Sequence, residues 1–86
     1  MAQTITAAAG SAAEEPMRST RRREFVELTG ASAAANDTSN AYNCQFLTAP
    51  RIVEGGAVIG TISGRTVTFT ALTALGNNKI GVWVSE

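Results

Sequence analysis

The sequence contains 86 residues with seven basic and seven acidic side chains and no net charge, so it predicts one small domain and disfavours a general polyanion-binding surface. It has one cysteine, Cys44, and no histidine, which excludes an intrachain disulfide and the zinc sites that a single chain builds from cysteine and histidine. Because so small a core rarely supplies more than about 3–5 kcal/mol by itself, association with other copies is the remaining source of stability, and we expect a homo-oligomer.

The first 22 residues have a different composition from the rest of the chain. They are rich in alanine, threonine, serine and glutamate, with Ile5 and Met17 as their only large apolar side chains. Such a segment buries too little surface to offset its conformational entropy. We therefore predict an extended N-terminal arm over residues 1–22, held by a neighbouring chain, and a β domain over residues 23–86.

From residue 23 onward, short β-prone runs alternate with Gly, Asn, Asp and Pro, a pattern typical of strands and turns. About six short antiparallel strands are predicted, over residues 23–29, 42–48, 51–54, 57–62, 66–72 and 79–85. Ser63 and Gly64 are predicted to form a tight hairpin turn, because glycine supplies the positive φ that such a turn needs. The pattern predicts an all-β fold, a small sandwich or barrel.

No catalytic constellation can be recognised in the sequence. Without histidine, the serine and cysteine triads are absent, and Cys44 is predicted to be a small buried hydrophobic residue. The glycine-rich run 55–60 lacks the following helix and lysine of a phosphate-binding loop. We therefore predict no enzyme activity, no cofactor and no metal site.

Four arginines within six residues are the sharpest charge feature: Arg18, Arg21, Arg22 and Arg23. Their guanidinium groups suit bidentate contact with the carboxylates of a protein partner, contact with a polyanion, or exposure to solvent as a hinge. Trp83 is predicted on the opposite face of its strand from the apolar residues, either at a contact surface or packed against a second sheet or the arm. These five residues are the candidate partner-interface residues.

The surface of the protein is predicted to be covered by neighbours. Charged residues make up 16% of the chain, below the roughly 25–35% of a typical free surface. No run approaches the roughly 18 apolar residues of a membrane span, so no membrane association is expected. Residues 20–26 resemble a twin-arginine export signal, but Glu27 and Thr29 interrupt the apolar stretch that such a signal requires.

Residues 24–86 resemble a class of small structural proteins of tailed phages that are encoded near the major capsid genes. The shared features are a Phe-Val-Glu-Leu-Thr-Gly strand, a polar Asn-Asp-Thr-Ser-Asn-Ala-Tyr segment, the runs Gly-Gly-Ala-Val-Ile-Gly and Arg-Thr-Val-Thr-Phe-Thr-Ala-Leu-Thr-Ala-Leu-Gly, and a closing Val-Trp-Val strand. The resemblance implies a head decoration, or cement, protein on the capsid surface of the virion. Its partners would be the major capsid protein and copies of itself, with no small-molecule substrate, and its arm would add a strand to an exposed sheet edge.

Several alternatives stay open. A neck, tail or head-fibre component of the virion is one, and a homo-oligomeric interaction module outside any virus is another. A nucleic-acid-binding barrel is disfavoured, because it needs basic and aromatic side chains on strand faces where threonines are expected. Before incorporation into a virion, the protein is expected in the host cytoplasm.

Overall fold

The computed structural model describes residues 3–15, 23–45, 47–54 and 57–86. Within these ranges every regular element is a β-strand, which confirms the all-β prediction. The strands are β1 (Gln3–Glu15), β2 (Arg23–Gly30), β3 (Thr38–Ser39), β4 (Tyr42–Asn43), β5 (Ile52–Glu54), β6 (Val58–Ser63), β7 (Thr66–Ala71) and β8 (Lys79–Ser85). None of the described residues belongs to a helix long and apolar enough to cross a membrane.

The strands form one curled open sheet, a half-barrel, rather than two stacked layers. The strand order is β4-β7-β3-β1-β2-β8-β5, in which β7 pairs with both β4 and β3. β6 lies off this path and also pairs with β7. Each pairing between described strands is antiparallel except that of β1 with β3. The curl brings β5 close to β6. The two strands approach so closely that a Cβ atom at Gly60 of β6 would overlap with the Val53 side chain of β5.

β1 pairs with other strands of this sheet, and the division of the chain into an arm over residues 1–22 and a β domain over residues 23–86 stays a prediction. It pairs with β2 on one side and with β3 on the other, and it buries Ile5 and Ala7. Backbone hydrogen bonds hold such a strand, and small side chains permit them as readily as large ones do. A strand that pairs on both sides can therefore have few large apolar residues, so a low apolar content does not argue against a strand. Residues 1–2 and 16–22 of the predicted arm lie outside the described residues.

Two side chains near β3 hold the first half of β1. The Asp37 carboxylate accepts hydrogen bonds from the Thr4 hydroxyl at 2.8 Å and from the Ala34 amide at 3.0 Å. The Asn40 side chain accepts a hydrogen bond from the Ala7 amide at 2.8 Å and donates one to the Ala7 carbonyl at 3.3 Å. Asn40 thus replaces a backbone partner at the point where β3 ends.

The core lies on the concave side of the half-barrel. In β2 and β7 buried residues alternate with more exposed ones, the period-two pattern of a strand with one buried face. Cys44 is buried, as predicted. The buried apolar residues are Ile5, Ala7, Val26, Leu28, Ala33, Tyr42, Cys44, Leu47, Val58, Val67, Phe69, Ala71, Leu75, Val82 and Val84.

Two predicted boundaries are corrected by the structure. The strand predicted over 42–48 ends at Asn43, because the side chains of Glu24 in β2 and Arg65 in the β6–β7 turn bind the backbone of the following residues. The β6–β7 hairpin turns at Gly64 and Arg65, one residue later than predicted, since Ser63 pairs with Thr66. Gly64 has a φ of 63°, and glycine with positive φ at the first central position is typical of a type II′ turn.

Candidate interaction faces of the sheet

An aromatic pair occupies the convex side of β2 and β8. Phe25 lies directly opposite Trp83 in the register of these strands. The ring centroids are 5.0 Å apart and the ring planes are tilted by 59°. The guanidinium carbon of Arg23 lies 4.3 Å from the Trp83 ring centroid, a cation–π contact. The structure therefore brings together two of the five predicted interface residues, Arg23 and Trp83.

Glycines on both sides allow Phe25 to lie against the sheet. Gly10 of β1 and Gly81 of β8 flank its ring, and a Cβ atom at either position would overlap with ring atoms. Phe25 and Trp83 are consequently half-buried, although the described strands form no second sheet above them. Trp83 packs against Phe25 and Arg23 of its own sheet, and its role at a contact surface stays a prediction.

The sequence did not single out Phe25. Its outward position follows from the alternation of β2, but its contact with Trp83 depends on how β2 and β8 align. The other three candidates, Arg18, Arg21 and Arg22, lie outside the described residues. Their part in an interface stays a prediction.

We define the aromatic face as the outward residues of β1, β2, β5 and β8 that surround this pair. Arg23, Glu27, Glu54 and Lys79 carry charges on this face. Ile52, at its edge, is 37% exposed. The members of the aromatic face are Gly10, Arg23, Phe25, Glu27, Ile52, Glu54, Lys79, Gly81 and Trp83.

The other half of the sheet presents a convex surface of a different character, which we define as the threonine face. It consists of the outward residues of β3, β4, β6 and β7: Thr38, Asn43, Ile59, Thr61, Ser63, Thr66, Thr68 and Thr70. Threonines face each other across strands in the pairs Thr61 with Thr68 and Thr38 with Thr70. None of these eight side chains is charged, and Ile59 is 51% exposed.

A buried carboxylate lies beneath the aromatic face. Glu24 is only 1% exposed, and it accepts hydrogen bonds from the Tyr42 hydroxyl, the Gln45 amide at 2.9 Å and the Leu47 amide at 3.4 Å. These bonds attach the segment after β4 to β2. Arg65 holds the same segment from the hairpin, because its Nε donates to the Cys44 carbonyl at 3.0 Å.

Burial and the Glu24 charge make the neighbouring acidic groups hard to ionise. Burial, followed by the hydrogen bond to Glu24 and its charge, raises the pKa of the Tyr42 hydroxyl. Burial and then the Glu24 charge raise the pKa of the Cys44 thiol to about 11, although Arg65 lowers it in part. At neutral pH Cys44 is therefore a thiol, whereas the nucleophilic form of cysteine is the thiolate.

The described residues offer no cluster of three or more histidine, cysteine, aspartate or glutamate side chains that could hold a metal ion. The geometry defines a half-barrel β domain with two contrasting convex faces. Comparison with protein-family models, with curated proteins and with solved structures found no match to this chain.

Proposed function

We propose that this chain is a structural protein of a tailed-phage virion, a head decoration protein that bridges adjacent major capsid subunits, and that it is not an enzyme. The resemblance of residues 24–86 to small phage structural proteins supports this proposal. The observation that carries it furthest is the uncharged threonine face.

An uncharged face is suited to being covered by another protein. Burying an unpaired charge costs several kcal/mol, whereas threonine hydroxyls can exchange hydrogen bonds with water for bonds with a partner. One of them already has a partner within the face, since the Thr66 hydroxyl lies 2.6 Å from the Asn43 side-chain oxygen. Ile59 adds exposed apolar area that contact would remove from water.

The mechanism of such a protein is mechanical rather than chemical. A rigid half-barrel that contacts two capsid subunits adds a link between them, and many copies on one shell act together. Because multivalent attachment strengthens binding beyond the affinity of a single contact, modest affinity per face is sufficient. The proposed partner of the threonine face is the major capsid protein, and the proposed location is the capsid surface.

Binding to phage heads assembled without this protein tests the proposal. Thr61→Glu and Ile59→Glu each place a charge on the threonine face at an exposed position. We expect each variant to bind heads at least about tenfold more weakly than the unmodified chain, equivalent to about 1.4 kcal/mol. Thr29→Glu is the matched control, because it adds the same charge to an exposed strand threonine outside this face.

Circular dichroism and thermal unfolding establish that the variants remain folded. Failure of the unmodified chain to bind heads would refute the decoration role. Equal loss of binding in the Thr29→Glu control would refute the assignment of the threonine face. Binding to tails or necks instead of heads would place the protein elsewhere in the virion.

A further inference from the structure

The outward side chains of β2 are arranged symmetrically about Phe25. Arg23 lies two residues before Phe25 and Glu27 lies two residues after it, and the alternation of the strand places all three on the aromatic face. Each charge is therefore roughly 6–7 Å from Phe25 along the strand. The two charges have opposite sign.

This arrangement is self-complementary. The twofold axis in question lies in the plane of the face, crosses β2 at Phe25 and runs perpendicular to the strand. Rotation about this axis reverses the strand direction in the second copy. It places Arg23 of one copy opposite Glu27 of the other, and it does so twice. The two Phe25–Trp83 pairs then meet at the centre, with charged residues around them, the usual anatomy of a protein interface.

We propose that the aromatic face is a twofold-symmetric contact between two copies of this chain. Symmetric dimers of this kind bury the same surface patch on both subunits. This inference goes beyond the capsid proposal and does not depend on it, because the contact forms between purified chains through the other half of the sheet.

Charge favours a second copy over other occupants of this face. The chain has no net charge, so copies do not repel each other at long range. Glu27 and Glu54 lie beside the aromatic pair and would repel a nucleic acid strand or an acidic peptide. In the twofold arrangement, by contrast, Glu27 meets the guanidinium group of the partner copy at the centre of the contact. Glu54, which is level with Trp83 in the register, meets its own counterpart only at the rim, two strands away from β2.

The shape of the face also permits close approach. Gly10 and Gly81 allow the Phe25 ring to lie over them against the sheet, so the ring adds little height to the face. A second copy can therefore bring its own half-buried rings against these strands. Ile52, at the edge of the face, adds exposed apolar area to the contact.

Charge exchange tests the proposal by sedimentation equilibrium of the full chain over a range of concentrations. Arg23→Glu and Glu27→Arg each place like charges opposite one another, and we expect each to weaken dimerisation at least about tenfold. The double variant R23E/E27R restores opposite charges and is expected to dimerise more tightly than either single variant. An equimolar mixture of the two single variants is expected to form a heterodimer for the same reason.

Arg51→Glu is the matched control, because it makes the same change in net charge at an exposed residue before β5. We expect it to dimerise like the unmodified chain. A monomeric unmodified chain at about 100 µM would overturn the proposal, as would weakening in R51E equal to that in R23E. Failure of both the double variant and the mixture to recover dimerisation would overturn the predicted pairing and the proposal with it.

Tryptophan fluorescence provides a second measurement that requires no variant. Trp83 is the only tryptophan of the chain and lies at the centre of the face. Dilution is expected to shift its emission to longer wavelength over the concentrations at which sedimentation detects dissociation. Dissociation without a change in emission would show that copies meet through another surface, and would refute the proposal. Head binding is measured separately, so either proposal can fail without the other.

Discussion

Removal of the Tyr42 hydroxyl tests the role of the buried Glu24 carboxylate. Tyr42→Phe keeps the ring and deletes one of the hydrogen-bond donors to Glu24. A hydrogen bond to a charged group contributes about 1.5–3 kcal/mol. We therefore expect Tyr42→Phe to lower the free energy of unfolding by about 2 kcal/mol, a large share of the roughly 4–13 kcal/mol expected for a chain of this length.

The carboxylate charge is the reason for this magnitude, and a double-mutant cycle isolates it. Glu24→Gln replaces the charged acceptor by a neutral one, and neutral hydrogen bonds are roughly half as strong. In the Glu24→Gln background, Tyr42→Phe is expected to cost about 1 kcal/mol less than in the unmodified chain. Thr48→Ala serves as a control, because the Thr48 side chain is exposed.

Urea unfolding followed by Trp83 fluorescence measures these differences at one protein concentration, so that any dimerisation affects all variants alike. An equal cost of Tyr42→Phe in both backgrounds would refute the claim that the Glu24 charge strengthens this bond. A cost near zero in the unmodified chain would show that the segment after β4 is held by other contacts.

Three further predictions concern pH, packing and the first strand. A pKa raised on folding means that stability is complete below the unfolded pKa and is lost as pH rises towards the folded one. The chain should therefore lose stability between about pH 9 and 11 because of Cys44, and from about pH 10 upward because of Tyr42. Cys44→Ala should reduce the loss between about pH 9 and 11 in urea unfolding at several pH values, and an unchanged loss would contradict the prediction. Gly81→Ala should lower the free energy of unfolding by about 1–3 kcal/mol, because the added methyl group overlaps with the Phe25 ring. Thermal unfolding should show a smaller loss of stability from Gly81→Ala in a chain that also carries Phe25→Ala. Asn40→Ala removes both side-chain bonds to β1, so amide hydrogen exchange should speed up in β1 while β8 is unaffected, and uniform acceleration would contradict a local role.

The two proposed contacts lie on different halves of one sheet. The threonine face is assigned to capsid subunits and the aromatic face to a second copy. One half-barrel would then bind the capsid shell and a second copy of the chain at the same time, because the two contacts use different surfaces. The variants at Ile59 and Thr61 leave the aromatic face unchanged, and those at Arg23 and Glu27 leave the threonine face unchanged. The Thr29→Glu control adds a charge beside Lys79, so its dimerisation is measured together with its head binding.

Local sequence patterns determined the strands that carry one buried face. The alternation of apolar and polar residues in Thr66–Ala71 and Lys79–Ser85 predicts both strands, because side chains of a strand point to opposite faces in turn. The glycine of the β6–β7 turn and the burial of Cys44 also follow from residue chemistry. Each of these features depends on neighbours in the chain.

Only the tertiary structure decided the place of β1 and the composition of the two faces. β1 pairs with β2 and β3, which are distant from it in sequence, and this pairing places Ile5 and Ala7 in the core of the sheet. Phe25 meets Trp83 because β2 and β8 pair in one register among several that their sequences allow. Strand pairing is set by the whole sheet, so contacts between strands cannot be derived from either strand alone.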